Sequence, residues 1–144
     1  MKVTVEEGFP EVEVVIRCPS ESGETERIAS ALCGLDARLS GTLDGQTCLI
    51  DPHDVLYFES VDKRCFIYTA TEAYETGRRL FEIADQLSQA GFFRSAKSQI
   101  VNIAKITSLR PDFDGRLELV MEDGEKLIVS RKYARGLKER LGLK

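Results

Sequence analysis

The sequence predicts a mainly β fold with short helices, of the α+β class. Three observations carry that expectation. Two Asp-Gly pairs, Asp44-Gly45 and Asp123-Gly124, sit between short runs rich in Leu, Ile, Val and Thr, and Asp-Gly is the pair a two-residue hairpin turn favours. Apolar residues at helical spacing are confined to three short segments. The regular β-α alternation of a doubly wound parallel sheet is absent.

Taken in order, residues 11–18 (EVEVVIRC) read as a strand with Val12, Val14 and Ile16 on one buried face, broken by Pro19-Ser20. Residues 21–34 read as a helix with acids in its first turn, Ile28, Ala31 and Leu32 on one face, and Gly34 as its stop. Asp44-Gly45 then joins two short strands. The segment DPHDV is a turn that leads into VLYFES, and a short polar break from Val61 to Arg64 joins that run to CFIYTAT as a second hairpin. Residues 76–90 read as a helix with Leu80, Phe81, Ile83, Ala84 and Leu87 on its apolar face, ended by Gly91. FFRSAKSQIVN reads as an extended lead-in and a buried strand, and IAKITSLRP as a strand ended by Pro111. GRLELVMEDGEKLIVS is the clearest hairpin: Leu117, Leu119 and Met121 alternate with polar positions, and Leu127 and Val129 return after the turn. Ser130 is placed to N-cap a last helix, in which Tyr133, Leu137 and Leu141 share one face while Arg131, Lys132, Arg135 and Lys138 lie off it. With no repeat, low-complexity segment or linker, the chain reads as a strand-helix extension over residues 1–40 and one domain over residues 41–144.

Charge divides the chain unevenly. Residues 92–144 carry 12 Lys+Arg against 7 Asp+Glu, whereas residues 1–91 carry 8 against 17, so the overall −4 hides a basic C-terminal part on an acidic remainder. A basic part of this kind calls for a polyanionic partner.

Composition also excludes. No apolar run approaches the roughly 18 residues of a membrane span, and the acidic, β-like N-terminus lacks the pattern of a signal peptide, which together point to the cytoplasm. Cys18, Cys33, Cys48 and Cys65 form no C-x-x-C pair, and the single His53 sits in a turn, so no metal site is expected. The cysteines read as free thiols, Cys65 beside Lys63 and Arg64 being the best candidate for a reactive one. No hydrolytic triad, phosphate-cradling glycine loop or aimed carboxylate pair is present. The expectation is therefore no catalytic residue, no cofactor and no small-molecule substrate.

Five pieces in order resemble the LytTR family of bacterial DNA-binding domains. They are D-V-L-Y-F-E-S at Asp54 to Ser60; Phe92, Phe93 and Arg94 followed by Ser98, Ile100, Val101 and Asn102; Lys105-Ile106; the hairpin turn Glu122, Asp123 and Gly124; and V-S-R-K-Y at Val129 to Tyr133. The resemblance implies an elongated fold of small β-sheets that reads the DNA major groove through loops between strands. By matching position, the DNA-facing residues are Lys63 and Arg64 in the break after the first strand pair, Arg94, Ser95, Lys97 and Ser98 before S-x-I-V-N, and Arg131 and Lys132 with Ser130 at the start of the last helix. Arg94 has a second reading, with its stem beside Phe92 and its head on an acid. Asn102 reads as structural, bonding backbone at a strand end. Ala96 stands where many family members carry His or another large polar residue, and Cys65 where many carry an aromatic, polar or His group, so neither is expected to read bases.

The resemblance further implies a short bacterial transcriptional regulator without a receiver domain, similar to regulators paired with a small membrane protein. Its DNA partner would be double-stranded, bound by a homodimer on repeated half-sites. The alternative is a protein-interaction module on the same fold that has lost DNA binding, with the acidic N-terminal half as its working surface.

Overall fold

The structure, a computed structural model, describes residues 1–36 and 38–143. Helix α1 (Gly23–Asp36) precedes a series of hairpins. Strand β1 (Leu39–Leu43) turns at Asp44-Gly45 into β2 (Gln46–Ile50). Both turn residues have positive φ, 51° and 79°, the geometry that matches the twist of a two-residue hairpin. A 3-10 turn at Pro52–Asp54, capped by the Asp51 carboxylate accepting from the His53 N–H, leads into β3 (Val55–Val61). Strands β4 (Arg64–Thr69) and β5 (Ala73–Thr76) follow, then α2 (Leu80–Leu87), a 3-10 turn at Ser88–Ala90, β6 (Phe92–Ala96) and β7 (Gln99–Asn102). These strands form a seven-stranded antiparallel sheet in the order β2-β1-β5-β4-β3-β7-β6. Strands β8 (Ile106–Pro111), β9 (Leu117–Met121) and β10 (Lys126–Val129) form a second sheet in the order β10-β9-β8, and α3 (Arg131–Arg140) closes the chain.

The large sheet is covered on both faces, which explains its sequence. One core gathers Val55, Phe58, Ile67, Leu80, Ile83, Leu87, Phe92 and Ile100 under α2. The other gathers Leu56, Tyr57 and Val101 with Leu117, Leu119, Met121 and Val129 of the small sheet and Leu137 of α3. Ile100 and Val101 are neighbours on β7 and point into different cores, as alternate residues of a strand must. A strand buried on both faces reads as a continuous apolar run, and Gln99–Asn102 is buried at every position. In β3 the run Val55-Leu56-Tyr57-Phe58 divides between the two cores across a register shift in its pairing with β4.

Asn102 is structural, as its sequence context suggested. Its Nδ2 donates to the Val55 carbonyl at 2.8 Å and its Oδ1 accepts the Ala104 N–H at 3.1 Å, joining β7 to β3 and capping the next 3-10 turn.

Four expectations are corrected. Residues 11–18 are not a strand: residues 1–22 form no helix or strand and stay exposed, Val12 at 96%. A strand needs a partner for its N–H and C=O groups, and this segment pairs with none among the described residues. Helix α1 runs through Gly34 to Asp36. The helix expected over residues 76–90 is shorter, because Thr76 ends β5, residues 77–79 lie before the helix starts at Leu80, and the last turn is 3-10. Phe81, expected on the buried face of α2, is 61% exposed.

Candidate nucleic-acid interface

Three loops far apart in sequence meet at one end of the molecule. The β3–β4 turn carries Lys63 and Arg64, the β6–β7 turn carries Lys97 and Ser98, and α3 begins with Arg131 and Lys132. Strand pairing puts the first two turns at the same end of the sheet, since Glu59 of β3 is opposite Gln99 of β7. Beyond that pair the Ser60 N–H donates to the Ser98 carbonyl at 2.8 Å. The third loop is joined to the second by the Ser130 N–H, which donates to the Ser95 carbonyl at 3.0 Å. Gly136 allows α3 to lie this close to β6: a Cβ there would stand 3.1 Å from the Phe93 ring.

The β3–β4 turn is strained. Asp62 and Lys63 both have positive φ, 51° and 66°, as a two-residue hairpin turn demands. For a residue with a Cβ the left-handed region costs roughly 1–2 kcal/mol. The chain thus holds a lysine at a tip that favours Asn or Gly, and its ammonium stands exposed.

Arg94 is half-buried and bonded to its own turn. Its Nε donates to the Ala96 carbonyl at 2.9 Å and its Nη2 to the Lys97 carbonyl. It shapes the β6–β7 turn, with its head on carbonyls and not on the acid of its second reading. Ser95 is corrected outright: it is fully buried, with its hydroxyl donating to Gln99 Oε1 at 2.8 Å, and no groove can reach it. Ser130 stands at the N-cap of α3, but its hydroxyl makes no capping bond; its carbonyl accepts the Tyr133 and Ala134 N–H groups.

The remaining residues are exposed and differ in charge balance. Arg64 is held by a bidentate contact to Glu75, at 2.8 and 2.7 Å, and lies 5.4 Å from the Phe66 ring. That contact holds the Glu75 carboxyl below its ordinary range. Arg131 lies 3.6 Å from Asp114. Among the described residues, no carboxylate forms an ion pair with Lys63, Lys97 or Lys132. Cys65, one residue beyond the tip, is buried, and burial pushes its thiol up, so it is not the activated thiol its cationic neighbours suggested.

A fourth loop was not anticipated. The β8–β9 turn, Asp112 to Arg116, packs beside the start of α3: Asp114 pairs with Arg131, and a Cβ on Gly115 would stand 2.9 Å from the Arg131 side chain. It brings exposed Phe113 and Arg116 to the same end. The only signal in the sequence is a Phe-Asp-Gly turn flanked by Arg110 and Arg116.

Such an end, with cations on turns held by a double sheet, is the feature to compare with known proteins. The family model described as the LytTr DNA-binding domain matches residues 45–142, and the chain belongs to that family, which is a DNA-binding and not an enzymatic one. A solved LytTr DNA-binding domain from Bacillus cereus superposes with a TM-score of 0.71 at 25% identity, over 75% of this chain and 99% of that one. The sensory transduction protein LytT of Bacillus anthracis is 35% identical over 104 residues, 72% of this chain but only 42% of LytT. An uncharacterized HTH-type transcriptional regulator of Staphylococcus aureus is 30% identical over 130 residues, 89% of this chain and 88% of that protein. A match over 89% of the chain necessarily includes α1. The HTH label of that relative has no counterpart here, since no two α-helices among the described residues follow one another across a short turn.

No helix among the described residues is long and apolar enough to cross a membrane.

Proposed function

We propose that the chain is a sequence-specific transcriptional regulator that docks its loop-bearing end on double-stranded DNA, with the β6–β7 turn in the major groove. The observation that carries this reading is the convergence of Lys63, Lys97 and Lys132, all exposed and free of ion pairs among the described residues, on turns tied together by two backbone hydrogen bonds. A rigid turn reaches base edges while cations beside it neutralise phosphates. Lys97 and Ser98 are placed at the tip to read bases. Lys63 and Lys132 are placed to hold phosphate, Lys132 with the help of the free N–H groups at the start of α3. Arg94 keeps the turn in shape. Two protomers on repeated half-sites supply the affinity that one small loop-based module lacks.

Fluorescence anisotropy tests the assignment, on a duplex selected from a random-sequence library and on a scrambled duplex, across a salt series. Lys132→Ala should weaken binding to both duplexes alike and lower the salt slope by about 1. Lys97→Ala should cost on the order of 1–3 kcal/mol on the selected duplex and narrow its gap to the scrambled one. Affinities within twofold of the parent for both variants would hand the function to protein interaction instead.

A further inference from the structure

Residues 1–22 expose Val3, Val5, Phe9, Val12, Val14, Val15 and Ile16, and α1 behind them has no fully buried side chain among those described. The chain as a whole exposes 10429 Å². A compact monomer of 16.1 kDa exposes about 7,400 Å² by the usual scaling of surface with mass, so the excess is about 3,000 Å². A stable interface removes about 800 Å² from each partner. The surplus is ample for one, and its apolar share is concentrated in this arm.

A sheet edge suited to the arm lies at the far side of the large sheet. Strand β2 is hydrogen-bonded on one side only, to β1. Open edges are normally guarded by charges, proline or bulges. The other edges follow that rule: β6 has a register shift, β8 has Arg110, Pro111 and a register shift, and β10 has Lys126. Strand β2, Gln-Thr-Cys-Leu-Ile, has no charge and no proline, and its pairing with β1 runs without a shift. Leu49 on it is 78% exposed.

We infer that residues 11–16 add as a strand to the open edge of β2 in a second copy of the chain, each copy lending its arm to the other. The six residues EVEVVI match the five of β2 in length and carry the β-branched side chains that suit a sheet. Reciprocal exchange makes a two-fold closed dimer in which both arms and both edges are paired.

The test is sedimentation equilibrium of the full chain without DNA, from low micromolar to about 100 μM, which separates this inference from the DNA reading. The wild-type chain should be a dimer at the upper end. Val14→Pro removes an N–H the added strand needs, and Leu49→Asp puts a charge on the β2 edge; both positions are exposed in the single chain, so its melting temperature serves as a folding control. Each should raise the dimer Kd at least tenfold. A monomer at all concentrations overturns the inference, and so does a dimer that Val14→Pro leaves unchanged. Loss of the dimer with Val14→Pro but not with Leu49→Asp overturns β2 as the docking edge.

Discussion

Residues 12–16 and residues 99–102 invite comparison, because Val-Glu-Val-Val-Ile is by propensity at least as good a strand sequence as Gln-Ile-Val-Asn. The second is buried at every position between two neighbouring strands and two cores. The first is exposed and unpaired. Propensity for a strand is a property of a pleated surface and its neighbours, more than of a segment. A β sequence left without a partner inside its own chain therefore points to a partner outside it.

The largest effect expected from that contrast is on stability. Phe58→Ala, at a fully buried position in the core under α2, should lower the unfolding free energy by about 3–5 kcal/mol in chemical denaturation. Val14→Ala in the arm should stay within about 0.5 kcal/mol when measured on monomer at low concentration. A comparable loss at both positions would mean the arm packs on its own domain.

Next in size is Asn102→Ala, which takes the side-chain donor from the buried Val55 carbonyl and the cap from the Ala104 N–H and should cost about 2 kcal/mol. Unchanged stability there would show that the join between β3 and β7 does not depend on this side chain.

Lys63→Gly should move stability and binding in opposite directions. Relief of the left-handed backbone should raise the melting temperature, with a gain of up to about 1 kcal/mol. The same change should weaken DNA binding and reduce its salt dependence. A stability gain with no loss of affinity would remove Lys63 from the interface.

The smallest expectation concerns thiol labelling. Cys18 and Cys33 are exposed, Cys48 is half-buried and Cys65 is buried with its thiol pushed up. Alkylation at neutral pH should modify the first two fastest and spare Cys65 until the chain unfolds. Rapid labelling of Cys65 would restore the reactive-thiol reading.

Much of this was legible along the chain. The hairpins at Asp44-Gly45 and Asp123-Gly124 follow from local turn chemistry, and the segments that resemble the LytTR family run in order through the domain. The contact loops were legible only as segments. Within them, alternation along β6 turns Ser95 inward, and the carbonyls of the next turn capture Arg94, whereas Lys97 is left outside. Sequence order does not state which way a strand faces when a bulge intervenes, and a register shift does intervene between Arg94 and Ala96.

By itself, then, the sequence determined the short-range features: turns set by residues that accept positive φ, helices set by apolar spacing, and a basic C-terminal part set by composition. Tertiary structure decided the rest. It buried Cys65, paired Arg64 with Glu75, brought the β8–β9 turn beside α3 and left the N-terminal valines without a sheet. The physical reason is the same in each case: pairing and burial depend on residues distant in the chain, and a segment's own side chains cannot specify what will lie across from them.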